Sequence, residues 1–228
     1  MIRPYTSAVT SVFFEPARIA LRDHLLSRDV PLSERMYRYE HCLRVAHIGR
    51  LVAEAEGLDA DRLEVACLLH DIGKYDAEVA VDHGRVGSRL ARGILVELGM
   101  PGDAVDDICQ GIAMHVDGKW NDSPADHPGH DMVDSEPSVL ARSVGDCDNV
   151  DRYSLLRIHG TMSWVGFSEM TTPQAIAWIA DYRAKLVKEA RYECATETAD
   201  AMWRAALADH DNYFSRLAEM MAPADRDL

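Results

Sequence analysis

Residues 68–74 read Leu68-Leu69-His70-Asp71-Ile72-Gly73-Lys74. A histidine and a carboxylate stand side by side there, at the end of an apolar helical pattern. Leu63, Cys67, His70 and Asp71 fall at offsets 0, 4, 7 and 8, which is one face of a 3.6-residue period. Two ionisable groups on a face that packs inward are costly unless something pairs them. A run of this kind therefore predicts a buried helix whose end is committed to chemistry.

Upstream, Glu15 to Leu26 predict a first helix and Pro31 interrupts. Ser33 is placed as the N-cap of a helix running to about Glu56 and closed by Gly57. Val45, Ile48 and Val52 form its apolar stripe, and His41 lies one turn before Val45 on that stripe. Asp61 with Glu64 resembles a capping box for the helix that carries His70 and Asp71, and Gly73 fits its stop.

Downstream, His83 opens a helix whose inner face is read as Val86, Leu90, Ile94 and Leu98. Gly99 and Pro101-Gly102 break the chain, and Asp103 caps the next helix. Val105, Ile108, Ile112 and His115 then sit at offsets 0, 3, 7 and 10, so a further histidine shares a buried face. Asp117 to Pro137 is polar and rich in proline and glycine, and reads as a long loop. Ser138 starts a helix with Leu140, Val144, Asp148, Asp151 and Leu155 on one stripe. Gly160 to Thr172 reads as irregular, and Thr172-Pro173 as an N-cap and first helical residue. The remainder to about Met221 reads as two helices broken near Cys194 to Thr196. No segment alternates with a period of two, so the fold class expected is all-α.

His41, His70, Asp71, His83, His115 and Asp148 are thus ligand-type residues on apolar faces of five separate helices. One histidine in such a place is usually a hydrogen-bonded core residue. Four of them with two aspartates point to a divalent cation that offsets the cost of burial. Imidazole and carboxylate without thiolate suit Fe, Mn, Co, Ni or Zn; Mg, which prefers oxygen, is placed at most at a second position. Two ions sharing Asp71 as a bridge accommodate all six residues. The alternative is one ion on His41, His70, Asp71 and Asp148, with His83 and His115 facing substrate. Asp146 competes with Asp148 for the last place. Asp148 shares the Leu140/Val144 stripe and is chosen; Asp146, two residues away, points to roughly the opposite side.

The formal charge is 24 − 38 = −14, which argues against duplex nucleic acid as a partner. A small anionic substrate stays open, because a bound cation dominates the local field. The five cysteines, Cys42, Cys67, Cys109, Cys147 and Cys194, include no CxxC pair and read as free thiols in a reducing compartment. No stretch approaches the roughly 20 apolar residues of a membrane span, and Val12-Phe13-Phe14 is too short for a signal region, so a cytoplasmic protein is expected. The 228 residues suit one domain, with a core of about 33–160 and C-terminal helices of about 172–221 packing on it. Oligomeric state is left open.

The order His41, His70-Asp71, Asp148 resembles the HD-domain metal-dependent phosphohydrolase superfamily. HCLRVAHIGRLVAEAEGLDADRLEVACLLHDIGK, residues 41–74, is similar to that family's opening two helices nearly throughout. DHGRVGSRLARGIL, residues 82–95, and ICQGIAMH, residues 108–115, resemble the segments that supply extra histidines in its six-ligand branches. DCDNVDR, residues 146–152, resembles the DADRLD element of small bacterial members, and the aspartate that it aligns with the family ligand is Asp148. Residues 182–220 are similar, more loosely, to the closing helices, so the resemblance covers roughly residues 38–220.

The resemblance implies an all-α HD-domain bundle with a helical C-terminal extension. It also implies hydrolysis of a phosphomonoester or phosphodiester in a small phosphorylated compound, nucleotide-like, by a metal-activated hydroxide. Asp71 would then serve the reaction directly. Lys74 matches the lysine of HDxGK members, although a lysine answering a helix dipole is the plain alternative. Arg44 matches the HxxRV element, where it would contact phosphate or pair with Asp71 or Asp151. Lys119, opening the long loop, is a further substrate-binding candidate. Two rivals stand beside this. One is an HD-type mixed-valent di-iron oxygenase, to which MHVDGKW has some similarity; Asp148 follows His115 by 148 − 115 = 33 residues with a DADRLD-like element, which favours the hydrolases. The other is a non-catalytic, metal-stabilised binding module, against which the intact six positions argue.

Overall fold

The computed structural model describes residues 11–118 and 136–222. Among them every regular element is helical, as the absence of alternation predicts: α1 Phe14–Leu26, α2 Leu32–Glu56, α3 Ala60–Leu69, α4 His83–Glu97, α5 Gly102–Met114, α6 Val139–Arg152, α7 Leu155–Trp164, α8 Thr172–Glu189 and α9 Glu197–Met221. Short 3₁₀ turns occupy Ala80–Asp82 and Phe167–Glu169. No described helix is long and apolar enough to cross a membrane. Four of the cysteines are buried, Cys194 is half-buried, and all five are free thiols. The chain divides into two compact units, one up to Asp148 and one from Asn149.

In the first unit α3 is the central helix. Every residue from Leu63 to Leu69 is buried, and α1, α2 and α5 pack around it. A helix that is apolar all round has nowhere to go but the interior, so its C-terminal pair His70-Asp71 is delivered to the centre of the unit. Inside this shell Glu64 is completely buried and takes an ion pair from Arg50 Nη1 at 2.7 Å. The turn after α3 is tied down from outside: His24 Nε2 and Arg28 Nη1 meet the two oxygens of Asp76 at 2.8 and 3.0 Å, and the Tyr75 hydroxyl donates to Glu34 O. Ser138 caps α6, its Oγ accepting from Ala141 N at 3.0 Å and donating to Asp107. Ala113, Met114 and Ala141 pack the end of α5 on α6.

The second unit has its own core of Ile158, Ile179 and Phe214. Trp178 stacks on Tyr182, and fully buried His210 bridges the Tyr182 hydroxyl (2.9 Å) and Ser154 O (3.1 Å). His210 is thus a hydrogen-bonded core histidine, as its isolation in the sequence suggests.

Several boundaries differ from the sequence reading, each for a local reason. Helix α2 starts from the Pro31 carbonyl, which accepts from Glu34 N and Arg35 N, so Ser33 lies inside the first turn. Helix α3 is capped by Asp59, whose side chain accepts from Arg62 N at 3.0 Å; Asp61 and Glu64 form no box because Glu64 is spent on Arg50. Pro101, not Asp103, precedes α5, and Asp103 binds Arg62 instead. Helix α8 is capped one residue early by Thr171, boxed with Gln174. Helix α6 ends at Arg152, so Leu155 belongs to α7, and Gly160 lies within α7 instead of opening an irregular stretch. A glycine costs a helix only about 1 kcal/mol, which the packing of Ile158 on Phe214 offsets. On α4 the buried face is Gly84, Gly87, Ser88, Ala91 and Leu95, not Val86, Leu90, Ile94 and Leu98. The seam against α5 is too close for large side chains, which are pushed to its flanks.

Candidate metal centre

Three histidines of the centre are set by where a helix begins or ends. His70 is the C-cap of α3, His115 the C-cap of α5, and His83 the first residue of α4 after a 3₁₀ turn. The 3₁₀ turn before His83 brings the Ala80 carbonyl within reach of that ring, and at the two C-caps the carbonyl three residues back lacks a helical partner. The histidine supplies one: His70 Nδ1–H donates to Cys67 O at 2.7 Å, His115 Nδ1–H to Ile112 O at 2.7 Å, and His83 Nδ1–H to Ala80 O. A carbonyl only accepts, so Nδ1 carries the proton and each neutral ring aims an Nε2 lone pair inward. His41 comes from the middle of α2 and Asp148 from α6, each directed by the buried stripe it shares.

The six groups meet. His41 Nε2 lies 3.2 Å from His70 Nε2 and 3.0 Å from Asp148 Oδ1, and His70 Nε2 lies 3.6 Å from the same oxygen. On the other side His83 Nε2 lies 3.2 Å from His115 Nε2. Asp71 stands between the two sets. Its Oδ2 is 3.6 Å from His41 Nε2 and 3.5 Å from His70 Nε2, while Oδ1 is 2.9 Å from His83 Nε2 and 3.7 Å from His115 Nε2. His41, His70 and Asp71 could hold an ion, as could Asp71, His83 and His115, or His70, His115 and Asp148. Asp146 is buried two residues before Asp148 and belongs to none of these groups.

The donor set fits divalent cations. His83 and His115 both spend their Nδ1 proton on carbonyls, so in the neutral form two lone pairs face each other across 3.2 Å. Asp71 Oδ1 is buried with no hydrogen-bond partner although His83 Nε2 is close, since a ring protonated at Nδ1 has no hydrogen on Nε2 to donate. Converging acceptors with no proton among them are what a cation requires. Burial by itself would raise the Asp71 carboxyl; when the rings carry a second proton, His70, His115 and His83, together with Arg38, outweigh it and hold it well below the usual carboxylate range. Asp148 is held low in the same way, burial being overcome by His41 and His70.

The sequence reading did not include Arg38. Its Nη1 donates to Asp71 Oδ2, and its guanidinium lies over the Tyr37 ring at 5.9 Å. The signal was its spacing: Arg38 precedes His41 by three residues, one turn on the same face of α2. The guanidinium on Asp71 is therefore that of Arg38, while Arg44 is half-buried on α2, one turn beyond His41. Lys74 is half-buried in the turn after the pair, its N–H donating to Asp71 O at 3.0 Å. Lys119 and most of the loop that contains it lie outside the described residues.

Two glycines permit this convergence. A Cβ on Gly84 would lie 2.8 Å from the carbonyl oxygens of Ile112 and Ala113 and 3.2 Å from His115 Nδ1. Gly73, expected to stop a helix, has no left-handed φ. It is there because the turn after Asp71 runs flush against α4.

The sequence profile of the HD domain matches residues 38–153, the stretch that holds all six groups. The chain belongs to the HD domain family. Among related proteins, ribonuclease Y of Pseudothermotoga lettingae is 46% identical over 54 residues, 23% of this chain and 11% of that one. Ribonuclease Y of Thermus thermophilus is 43% identical over 70 residues, 30% of this chain and 12% of that one. The likeness thus spans about a tenth of those relatives' length. Among solved HD structures, a predicted HD superfamily hydrolase from an uncultured Thermotogales bacterium superposes with a TM-score of 0.57 at 21% identity, covering 90% of this chain and 92% of that one. Bacillus subtilis YpgQ superposes with a TM-score of 0.58 at 17% identity, covering 93% and 98%. Both show the same HD fold.

Proposed function

We propose that this HD protein is a metal-dependent phosphohydrolase that cleaves a phosphomonoester or phosphodiester in a small, nucleotide-like compound. The observation that carries the reading is the division of Asp71, with one oxygen turned to His41 and His70 and the other to His83 and His115. In this reading His41, His70, Asp71 and Asp148 hold one divalent ion and Asp71, His83 and His115 a second, Asp71 bridging; Fe, Mn, Co, Ni or Zn suit the donors, with Mg at most at the second position. Bound ions would supply Lewis acidity and a water acidified to near neutrality.

The chain's own residues do the rest. Asp71 and the carbonyl-anchored rings fix the geometry, so little reorganisation is needed when charge develops on a phosphoryl group. Arg38, which donates to Asp71 Oδ2, brings a cation to the centre, and a planar guanidinium suits phosphate oxygens. Lys74, in the turn after the pair, and Arg44, one turn beyond His41 on α2, add positive charge on the same two segments, and Lys119 would do so from the long loop. The charge of −14 disfavours a duplex substrate.

The test is metal analysis of anaerobically purified protein, then a panel of nucleotides, simple phosphoesters and short oligoribonucleotides scored for phosphate or nucleotide release. The oligoribonucleotides are included for the likeness to ribonuclease Y. Release with Mn, Fe or Co supports the reading. No release on any substrate with any of these metals or Mg rejects it, and oxygen consumption with an iron-loaded centre establishes the oxygenase instead.

A further inference from the structure

We propose that Arg85 and Asp117 form a buried clamp that sets the separation of His83 and His115, and so governs occupancy of the half-site these rings share with Asp71 Oδ1. The inference rests on the two-ion reading above. Arg85 lies two residues after His83 on α4, and Asp117 two residues after His115 in the turn that closes α5. Its Nη2 donates to both Asp117 oxygens, at 3.2 and 2.9 Å. Its Nη1 reaches Asp82 Oδ1 at 3.4 Å and Val81 O at 3.5 Å, within the turn whose Ala80 carbonyl orients His83. One side chain therefore ties the turn before His83 to the turn after His115.

The site of the clamp is not one that stability would choose. The Arg85 side chain is 6% exposed, and its Nε is buried without a hydrogen-bond partner. An apolar residue packed there would avoid that desolvation. What the arginine adds is register. Gly84 lets α4 approach the Ile112 and Ala113 carbonyls, which fixes the distance between the two chain segments. The guanidinium then fixes how one slides along the other, because a planar donor group holds a carboxylate in a defined orientation that a lysine does not. Neither Arg85 nor Asp117 belongs to the groups that could hold an ion, so both are positioning residues.

The experiment titrates metal-free protein with Co²⁺ and reads the visible spectrum and the bound metal. It compares the unmodified chain with Arg85→Met, Arg85→Lys, Asp117→Asn and the double variant Arg85→Met/Asp117→Asn. Arg92→Met is the control, since Arg92 pairs with Asp106 between the same two helices at the surface, at 2.8 Å. The unmodified chain and the control take two ions. Arg85→Met and Asp117→Asn keep the tighter ion and bind the other on the order of ten- to a hundredfold more weakly, the usual consequence of removing an outer partner of a ligand. Arg85→Lys falls between, and the double variant is no worse than either single one. Should Arg85→Met not fold, Asp117→Asn and Arg85→Lys carry the same comparison. Unchanged affinity for the second ion in Asp117→Asn and Arg85→Lys overturns the clamp, as does parallel weakening of both ions. If the unmodified chain takes only one ion, the two-ion reading has failed before any variant is compared, and the clamp's role falls with it.

Discussion

Gly73 and His83 touch through their main chains: a Cβ on Gly73 would lie 2.5 Å from the His83 carbonyl oxygen, and 2.4 Å from Gly87 N. The turn that carries His70 and Asp71 is thereby docked on the first turn of α4. Backbone on backbone, this contact fixes how far Asp71 Oδ1 stands from His83 Nε2.

The substitution Gly73→Ala is therefore expected to destabilise the protein by about 1–3 kcal/mol, the cost of forcing an atom into packed surroundings. It should also weaken metal binding on the His83 side. Gly93, on the same α4, has nothing within 4 Å of its would-be Cβ. Gly93→Ala should stabilise by about 0.5–1 kcal/mol through helix propensity. Urea titrations of the two variants check both signs.

Asp71 and Asp148 should differ in what their loss removes. Asp71→Asn takes one oxygen from each half of the centre and is expected to leave no tightly bound ion. Asp148→Asn affects the His41/His70 side alone and should leave one. Phosphoester hydrolysis should fall by more than about a hundredfold in both, beyond what loss of an outer partner causes. Metal-to-protein ratios after gel filtration distinguish the two variants.

Arg50→Met leaves the carboxylate of completely buried Glu64 without its 2.7 Å ion pair. Breaking a buried pair in this way costs about 3–5 kcal/mol. Arg50→Met/Glu64→Leu should recover much of that loss, because the buried carboxylate itself is gone. Chemical denaturation of the single and double variants measures the difference.

Burial holds the His210 imidazole below the ordinary histidine value of 6.5, the accepting Ser154 carbonyl only partly opposing it. A lowered value means that, between the folded and the unfolded pKa, the unfolded chain binds the proton. Its stabilising contribution is whole above pH 6.5 and is lost as pH falls from there toward the folded value. His210→Gln, which keeps groups able to meet the Tyr182 hydroxyl and Ser154 O, should flatten the fall in stability between about pH 6.5 and 5 relative to the unmodified chain. Urea midpoints across that range provide the comparison; equal slopes would count against it.

Much of this centre could be read from spacing. His41 and His115 lie on stripes of which Val45, Val52, Val105, Ile108 and Ile112 are buried as expected, while Ile48 is half-buried. The His70-Asp71 pair ends an apolar helix, and the six groups meet across five helices. Three things were less legible. The seam of α4 is made of glycine, serine and alanine, which carry little hydropathy, so the larger apolar residues beside it took the assignment. Arg38 has the spacing, one turn before His41, but a charged residue there reads as solvated until Asp71, 33 positions away, is seen to accept from it. Leu155 reads as a continuation of α6 and Gly160 as the start of an irregular stretch, whereas contacts within the second unit make both part of α7.

The rings of His70, His83 and His115 are steered by main-chain oxygens, not by other side chains. No point mutation deletes a peptide carbonyl. The aim of these three imidazoles is thus inherited from the places where helices start and stop, and the side chains around the centre are left free to diverge. Substitutions at Lys74 or Arg44 change the charge of these segments without removing the carbonyls that aim the three rings.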